Sequence, residues 1–177
     1  MNMFIPQQGF DASNPPVSVP SGKSWVAGYI GGDTPHVWTS GEWSRFRRIA
    51  KLPVYVCSDP GQANPTNDAF AALRSLYDLG VPKGKTLALD LETAVSPSYV
   101  KRFYRVIRWG GYWLWIYGSA DFVFANPVCS GYWVADFNGV SNRLYPHKGV
   151  VASQYASGSV YDSDVTTWWQ RTHRLWR

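Results

Sequence analysis

The stretch Thr86-Leu87-Ala88-Leu89-Asp90-Leu91-Glu92-Thr93 decides the fold, because it has the pattern of a buried strand that ends in two carboxylates. Side chains alternate along a strand, so the leucines share one face while Asp90 and Glu92 share the other. In α/β folds, ligands bind at the carboxyl ends of the strands. We therefore predict that the leucines pack under helices and that the two acids face a cavity. Taken alone, the pattern also fits acids that cap a loop or form a salt bridge.

Size and charge limit the class of protein. The chain has 177 residues, 45% of them hydrophobic and 16% charged, which indicates a single globular domain over residues 1–177. The formal net charge of +5 favours polyanions such as nucleic acid, an anionic membrane or an anionic cell wall. No RRM, zinc-finger or helix-turn-helix signature accompanies the basic residues, so we predict no nucleic-acid partner. Spread over helix faces, the same charge also fits ordinary solvation.

Several common kinds of site lack their signatures. Cys57 and Cys129 lie outside any C-x-x-C motif, which predicts neither a disulfide framework nor a zinc site. The histidines share no ligand spacing and no phosphate-binding glycine loop is present, so we predict no metal and no cofactor. The first residues lack the basic and apolar regions of a signal peptide, and no stretch is apolar enough to span a bilayer.

Strand and helix patterns alternate along most of the chain. Strands followed mostly by helices are predicted to begin near Gly9, Trp25, Leu52, Thr86 and Tyr112. Three more strands with short links are predicted within 132–137, 149–155 and 159–165, and an amphipathic tail from 166 to 177. This order predicts an α/β fold: an irregular TIM-like barrel of about five βα units and then three strands, with a mostly parallel sheet.

Three of the predicted helices have readable details. Thr39 and Glu42 have the spacing of a capping box before a short helix. In the helix that begins near Asn67, the apolar positions Phe70, Leu73 and Tyr77 are expected to face inward. In the helix after Ser96, a buried stripe opposes a basic, solvated face; the stripe is predicted to comprise Tyr99, Phe103, Val106 and Ile107.

Six short motifs occur in a fixed order: Gly9-Phe10-Asp11-Ala12-Ser13, Asp90-Leu91-Glu92, Ile116-Tyr117-Gly118-Ser119, Trp133-Val134-Ala135-Asp136-Phe137, Gln154-Tyr155 and Asp164-Val165-Thr166-Thr167-Trp168. Together they resemble glycoside hydrolase family 25, the Chalaropsis-type lysozymes, and the related glycoside-hydrolase-like domains of actinobacterial and phage proteins. The resemblance runs over nearly the whole chain. It implies a peptidoglycan-cleaving glycosidase of the lysozyme type, acting on the β-1,4 bond of bacterial cell-wall glycan. We further expect a phage lysin or virion-associated hydrolase, made in the cytoplasm and delivered to the wall by lysis or in a virion.

Glycoside cleavage needs an acid for the leaving oxygen and a group that stabilises the transition state. We expect Glu92 to be the general acid, deep in a carboxylate cluster, with its pKa raised by neighbouring negative charges. Asp90 would either orient a substrate N-acetyl group or act as the nucleophile. Asp11 and Asp164 would join this pair only if the barrel closes. Taken singly, Asp11 also fits a turn, and Asp164 or its neighbour Asp162 fits a helix N-cap.

Aromatic and amide side chains complete the predicted site. Tyr117, Tyr55 and Trp133 could stack on a sugar or belong to the core, and the resemblance adds Gln154 as a supporting residue. Some positions depart from the family motifs, among them Phe137 and Thr166. These departures favour an alternative in which the barrel is a catalytically weak or inactive glycan-binding module.

Overall fold

Eight strands form a closed barrel in chain order, which confirms the predicted irregular TIM-like architecture. The computed structural model describes residues 6–57, 64–167, 170 and 173–177. The strands are β1 (Pro6–Asp11), β2 (Trp25–Gly32), β3 (Ala50–Cys57), β4 (Thr86–Leu91), β5 (Trp113–Gly118), β6 (Gly131–Ala135), β7 (Val150–Ala156) and β8 (Asp162–Thr167). Neighbours from β1 to β7 are parallel. Strand β8 runs antiparallel to both β7 and β1 and so closes the ring.

Helices cover the outside of the barrel on one side. They are α1 (Ser40–Ser44), α2 (Pro65–Asp78), α3 (Pro97–Trp109) and α4 (Ala120–Phe124), and they follow β2, β3, β4 and β5. Helix α1 begins with the predicted capping box, in which Thr39 Oγ1 accepts from the Glu42 amide and the Glu42 carboxylate accepts from the Thr39 amide. The links from β6 to β8 contain no helix. Among the described residues, no helix has the length and apolar character needed to cross a membrane.

The alternation of side chains along the strands separates two apolar sets. Leu87, Leu89 and Leu91 point outward and pack in the layer between barrel and helices, as predicted. The inward-facing set fills the barrel and includes Trp25, Leu52, Ala88, Trp115 and Trp133. Gly9 is required beside it, because a Cβ there would lie 2.0 Å from the indole of Trp25. The barrel is therefore a packed core over most of its depth.

The predicted inward face of α2 is wrong at Phe70 and Tyr77, whereas the third predicted residue, Leu73, is partly buried against the core. Phe70 is 48% exposed and Tyr77 is 81% exposed. The buried side chains lie one position earlier, at Ala69, Ala72 and Leu76. Small alanine side chains let the helix approach the barrel closely, which the large aromatic rings would prevent. In α3, by contrast, the predicted buried positions Tyr99, Phe103 and Ile107 are confirmed, with Val106 partly buried.

The last residues of the chain close the amino-terminal end of the barrel. Leu175 is fully buried against the interior set. The backbone of Trp176 pairs with Lys51, and the carbonyl of Arg174 accepts from the amide of Thr86. Both partners lie near the starts of their strands. The predicted tail begins too early, because residues 166 and 167 belong to strand β8. Residues 168, 169, 171 and 172 of the tail lie outside the described part of the chain. The opposite, carboxyl-terminal end of the barrel holds the polar side chains.

Candidate active site

Five carboxyl groups lie together at the carboxyl-terminal end of the barrel: Asp11, Asp90, Glu92, Asp162 and Asp164. Because β8 is antiparallel, its first residues lie at this end, and Asp162 pairs directly with Asp11. Barrel closure thus brings the acids of the first and last strands to the pair on the fourth strand, as the sequence predicted. Clustered like charges destabilise a fold, and such clusters occur mostly at functional sites.

The two acids of the fourth strand differ in depth. Asp90 is 1% exposed, whereas Glu92 is exposed. This is the reverse of the predicted order, because β4 ends at Leu91 and Glu92 leaves the strand at the mouth of the barrel. Burial raises the pKa of Asp90 well above its ordinary value, and the negative charge of Glu92 and a hydrogen bond to it act in the same direction. The Asp90 carboxyl therefore keeps its proton to a higher pH than an ordinary aspartate does.

Asp11 and Asp164 form a second pair of carboxyl groups. Burial raises the pKa of Asp11 to about 7, and the charge of Asp162 adds to this effect. Asp164 is fully buried, and burial together with the charge of Asp11 raises its pKa well above the ordinary value. Its Oδ1 accepts a hydrogen bond of 3.0 Å from Trp133 Nε1. Its other oxygen, Oδ2, is buried and has no hydrogen-bond partner among the described residues.

Gln154 connects the carboxylates of β1 and β8. Its Nε2 donates to Asp11 Oδ2 and to Asp162 Oδ2, both at 2.9 Å. Its Oε1 accepts from the Tyr117 hydroxyl at 2.6 Å. Asp162 is further held by the hydroxyl of Ser157 at 2.8 Å. Both amide hydrogens and the amide oxygen of Gln154 are therefore engaged, which fixes the two carboxylates side by side.

The predicted aromatic residues occupy three different environments. Tyr117 is partly exposed at the mouth, with its ring 4.4 Å from that of Trp133. Trp133 is 2% exposed, so it belongs to the barrel interior and reaches the site only through its indole N–H. Tyr55 does not join the site. It faces outward from β3, where its ring lies 5.8 Å from that of Phe103 in α3, because inward positions on this strand fall one residue away, at Val54.

Sequence reasoning missed two members of the cluster, Asp162 and Tyr29. Asp162 was considered only as a helix cap, yet it shares a face with Asp164 at the two-residue period of a strand. Tyr29 lies on the inward face of β2, after Trp25 and Ala27. Burial raises the pKa of Tyr29, and the charges of the surrounding carboxylates raise it further, first that of Asp90. Strict alternation along both strands would have identified each residue.

The same fold occurs in solved structures of low sequence identity. A B. stearothermophilus protein is 19% identical with a TM-score of 0.76, covering 96% of this chain and 100% of the other. GHIP, a glycosyl hydrolase 25 of Streptococcus pneumoniae, is 12% identical with a TM-score of 0.70, covering 94% and 92%. The modular autolysin LytC of Streptococcus pneumoniae, solved with a synthetic peptidoglycan ligand, is 11% identical with a TM-score of 0.68, covering 90% and 46%. At these identities the likeness shows the fold alone.

No family model matches the chain, and no curated protein matches it.

Proposed function

We propose that this protein is a glycoside hydrolase of the lysozyme type that cleaves the β-1,4 bond of peptidoglycan. The observation that carries the proposal is the exposed Glu92, beside the buried Asp90, within a cluster of carboxyl groups at the carboxyl-terminal end of a TIM-like barrel. That end is where barrels of this type hold their active sites. The fold shared with a glycosyl hydrolase 25 and with an autolysin solved with a peptidoglycan ligand supports the choice of substrate.

Glu92 is the general acid in this proposal. It lies at the mouth, where a glycosidic oxygen can reach it. When the C–O bond breaks, the leaving oxygen takes a proton from Glu92, which is left negatively charged. Asp90 is 1% exposed and lies beside Glu92. Of the two roles open to it, we therefore propose that it acts through Glu92, as a positioning residue.

The remaining carboxylates stabilise positive charge in the transition state. The sugar that loses its leaving group becomes oxocarbenium-like, and nearby negative charge lowers its free energy. Asp11 and Asp162 are partly exposed and held side by side by Gln154, so they face the same opening as Glu92. Water then adds to the sugar and restores the proton to the cluster. Tyr117, which anchors Gln154 at the mouth, is the best placed aromatic ring to contact a sugar.

Glu92→Gln tests the proposal. Removing the acid while keeping the shape should lower the rate of wall lysis by a factor between about a hundred and ten thousand, measured by turbidity and by mass spectrometry of the released fragments. Asp78→Asn is the matched control, because Asp78 is an exposed acid on α2 whose loss should leave lysis unchanged. Full lytic activity in Glu92→Gln would exclude Glu92 as the acid.

A second candidate function is glycan binding without cleavage. It is favoured by the two hydrogen bonds from Gln154, which occupy oxygens of Asp11 and Asp162 that would otherwise interact with a transition state. Retention on purified peptidoglycan, with no new reducing ends after long incubation, would support this candidate over the hydrolase. Release of muropeptides of lysozyme type would exclude it.

A further inference from the structure

The outer surface of α2 and α3 carries aromatic rings that the fold does not use. Phe70 is 48% exposed and Trp109 is 79% exposed. Their rings contact each other edge to face, with centroids 6.3 Å apart, although neither is needed to bury the helices. Large apolar side chains that remain exposed next to one another are more informative than scattered ones. Their pairing marks this surface as a candidate binding site.

Two arginines flank the rings. Arg102 and Arg105 are exposed and share a face of α3 with Trp109, because positions three, four and seven residues apart lie on one side of a helix. Together with Thr66 and Val106 they line a pocket of about 180 Å³. Arg102 Nε donates to Thr66 Oγ1 at 3.1 Å, which fixes its guanidinium group across the two helices.

The charge of these arginines is not balanced locally. Neither arginine has a described carboxylate within salt-bridge distance, and the chain as a whole carries a formal net charge of +5. An anion entering the pocket would meet two guanidinium groups, one of them already fixed in place. Phosphate is a preferred partner of such groups.

We propose that this groove, lined by Thr66, Arg102, Arg105 and Trp109 and bordered by Phe70 against Trp109, is an accessory binding site for a phosphate-bearing glycan or polyol chain of the bacterial wall. The arginines would bind the phosphates, and the rings would pack against the intervening sugar or polyol carbons. The choice of a wall polymer rests on the proposed function, which places the substrate in the same wall. A single-stranded nucleic acid offers phosphates and stacking as well, but such ligands usually bind several aromatic rings in succession, and this groove presents one ring pair beside two arginines.

The position of the groove gives it a use for the proposed hydrolase. Thr66 is in the first turn of α2, and both α2 and α3 begin at the end of the barrel that holds Glu92. From there the pocket extends from Arg102 to Trp109, about 10 Å along α3. A wall polymer bound in it would hold the mouth near the glycan strands to which such polymers are attached, and would raise the local concentration of substrate.

Sedimentation with purified Gram-positive walls tests the inference. The measurements use the Glu92→Gln background, so that walls remain intact, and compare native walls with walls stripped of phosphodiester-linked polymer. R102Q/R105Q should bind native walls about tenfold more weakly and should bind stripped walls unchanged. F70A/W109A should show a similar loss, because both side chains are exposed and their removal leaves the core intact. The matched control R47Q/R48Q removes the same charge from exposed positions after α1 and should bind normally.

Other outcomes would overturn the inference. An equal loss in R47Q/R48Q would show attraction by net charge alone, and no loss in F70A/W109A would show that the rings are not part of a site. An oligonucleotide that competes as well as released wall polymer would assign the groove to nucleic acid. Cleavage of a short, phosphate-free peptidoglycan fragment, measured with Glu92 intact, should be the same with and without R102Q/R105Q. Failure of that cleavage would count against the hydrolase and leave the binding result standing.

Discussion

The two ends of the barrel interior have opposite chemistry. At the amino-terminal end, Leu175 and the indoles of Trp25 and Trp115 fill the space and exclude water. At the carboxyl-terminal end, carboxyl groups occupy equivalent inward positions, and burial raises the pKa of Asp11, Asp90 and Asp164. The same strands supply both ends, so the difference arises only from which side chain stands at each inward position.

This contrast shows how the molecule tolerates its clustered acids. The apolar end buries large side chains, which stabilises the barrel. The acidic end opposes folding, because buried carboxyl groups lose hydration and repel one another. Trp133 joins the two, since its ring packs in the interior while its N–H donates to Asp164. Truncating an apolar side chain at the first end and neutralising a carboxyl group at the second should therefore change stability in opposite directions.

The largest effect on stability is expected at the apolar end. Trp115 is 1% exposed inside the barrel, so Trp115→Ala should lower the free energy of unfolding by about 4 kcal/mol through lost burial and a cavity. Chemical denaturation measures the change. Trp109→Ala is the control, because that ring is 79% exposed and its loss should change the free energy of unfolding little. Equal losses in the two variants would mean that the interior set does not stabilise the barrel.

A smaller effect of opposite sign is expected at the acidic end. The pKa of Asp11 is about 7 in the folded protein and near 4 in the unfolded chain, so its proton is bound more tightly by the folded state. Stability from this group is complete below about pH 4 and is lost as the pH rises through about 7. Asn at position 11 can still accept from Gln154 and can donate to Asp164 without ionising. Asp11→Asn should therefore raise the free energy of unfolding at pH 8 by on the order of 2 kcal/mol.

Thermal denaturation at pH 5 and pH 8 measures this effect. The gain from Asp11→Asn should be larger at pH 8 than at pH 5. A gain that is larger at pH 5, or a loss at both values, would contradict the assignment of the raised pKa to Asp11. Asp78→Asn should show no such dependence, because Asp78 is exposed on α2.

The smallest effect on the free energy of unfolding is expected from Tyr117, whose hydroxyl is hydrogen-bonded to Gln154 at the acidic end. Tyr117→Phe removes the donor to Gln154 Oε1 but keeps the ring, and should cost about 1 kcal/mol of unfolding free energy. Tyr132→Phe is a suitable comparison, since its hydroxyl lies outside the acidic cluster and donates a longer bond, of 3.4 Å, to the carbonyl of Asn126. Denaturation experiments compare the two variants. If both substitutions lower the free energy of unfolding equally, the hydrogen bond from Tyr117 to Gln154 stabilises the protein no more than the bond made by Tyr132.

The sequence predicted the parts that depend on local pattern. The alternation around Asp90 placed the leucines outward and the acid inward, and the order of strands predicted the barrel. Helix α2 was misjudged because hydrophobicity alone favours its rings, whereas the close packing that selects Ala69 and Ala72 is a tertiary property. The depth of Glu92 was misjudged because a pattern does not show that the strand ends one residue earlier, at Leu91. Asp162 could have been predicted as a site residue, because it lies two positions before Asp164 and so shares a face of the strand with it.

The pairing of β1 with β8 joins residues more than 150 positions apart, and it sets Asp11 opposite Asp162. Contacts so distant along the chain form late and slowly during folding. Closing the ring therefore sets two acidic groups side by side, with Gln154 bonded to both. Because burial raises the pKa of Asp11 to about 7, closure is more favourable below that pH than above it, and the strands that close the ring also make it sensitive to pH.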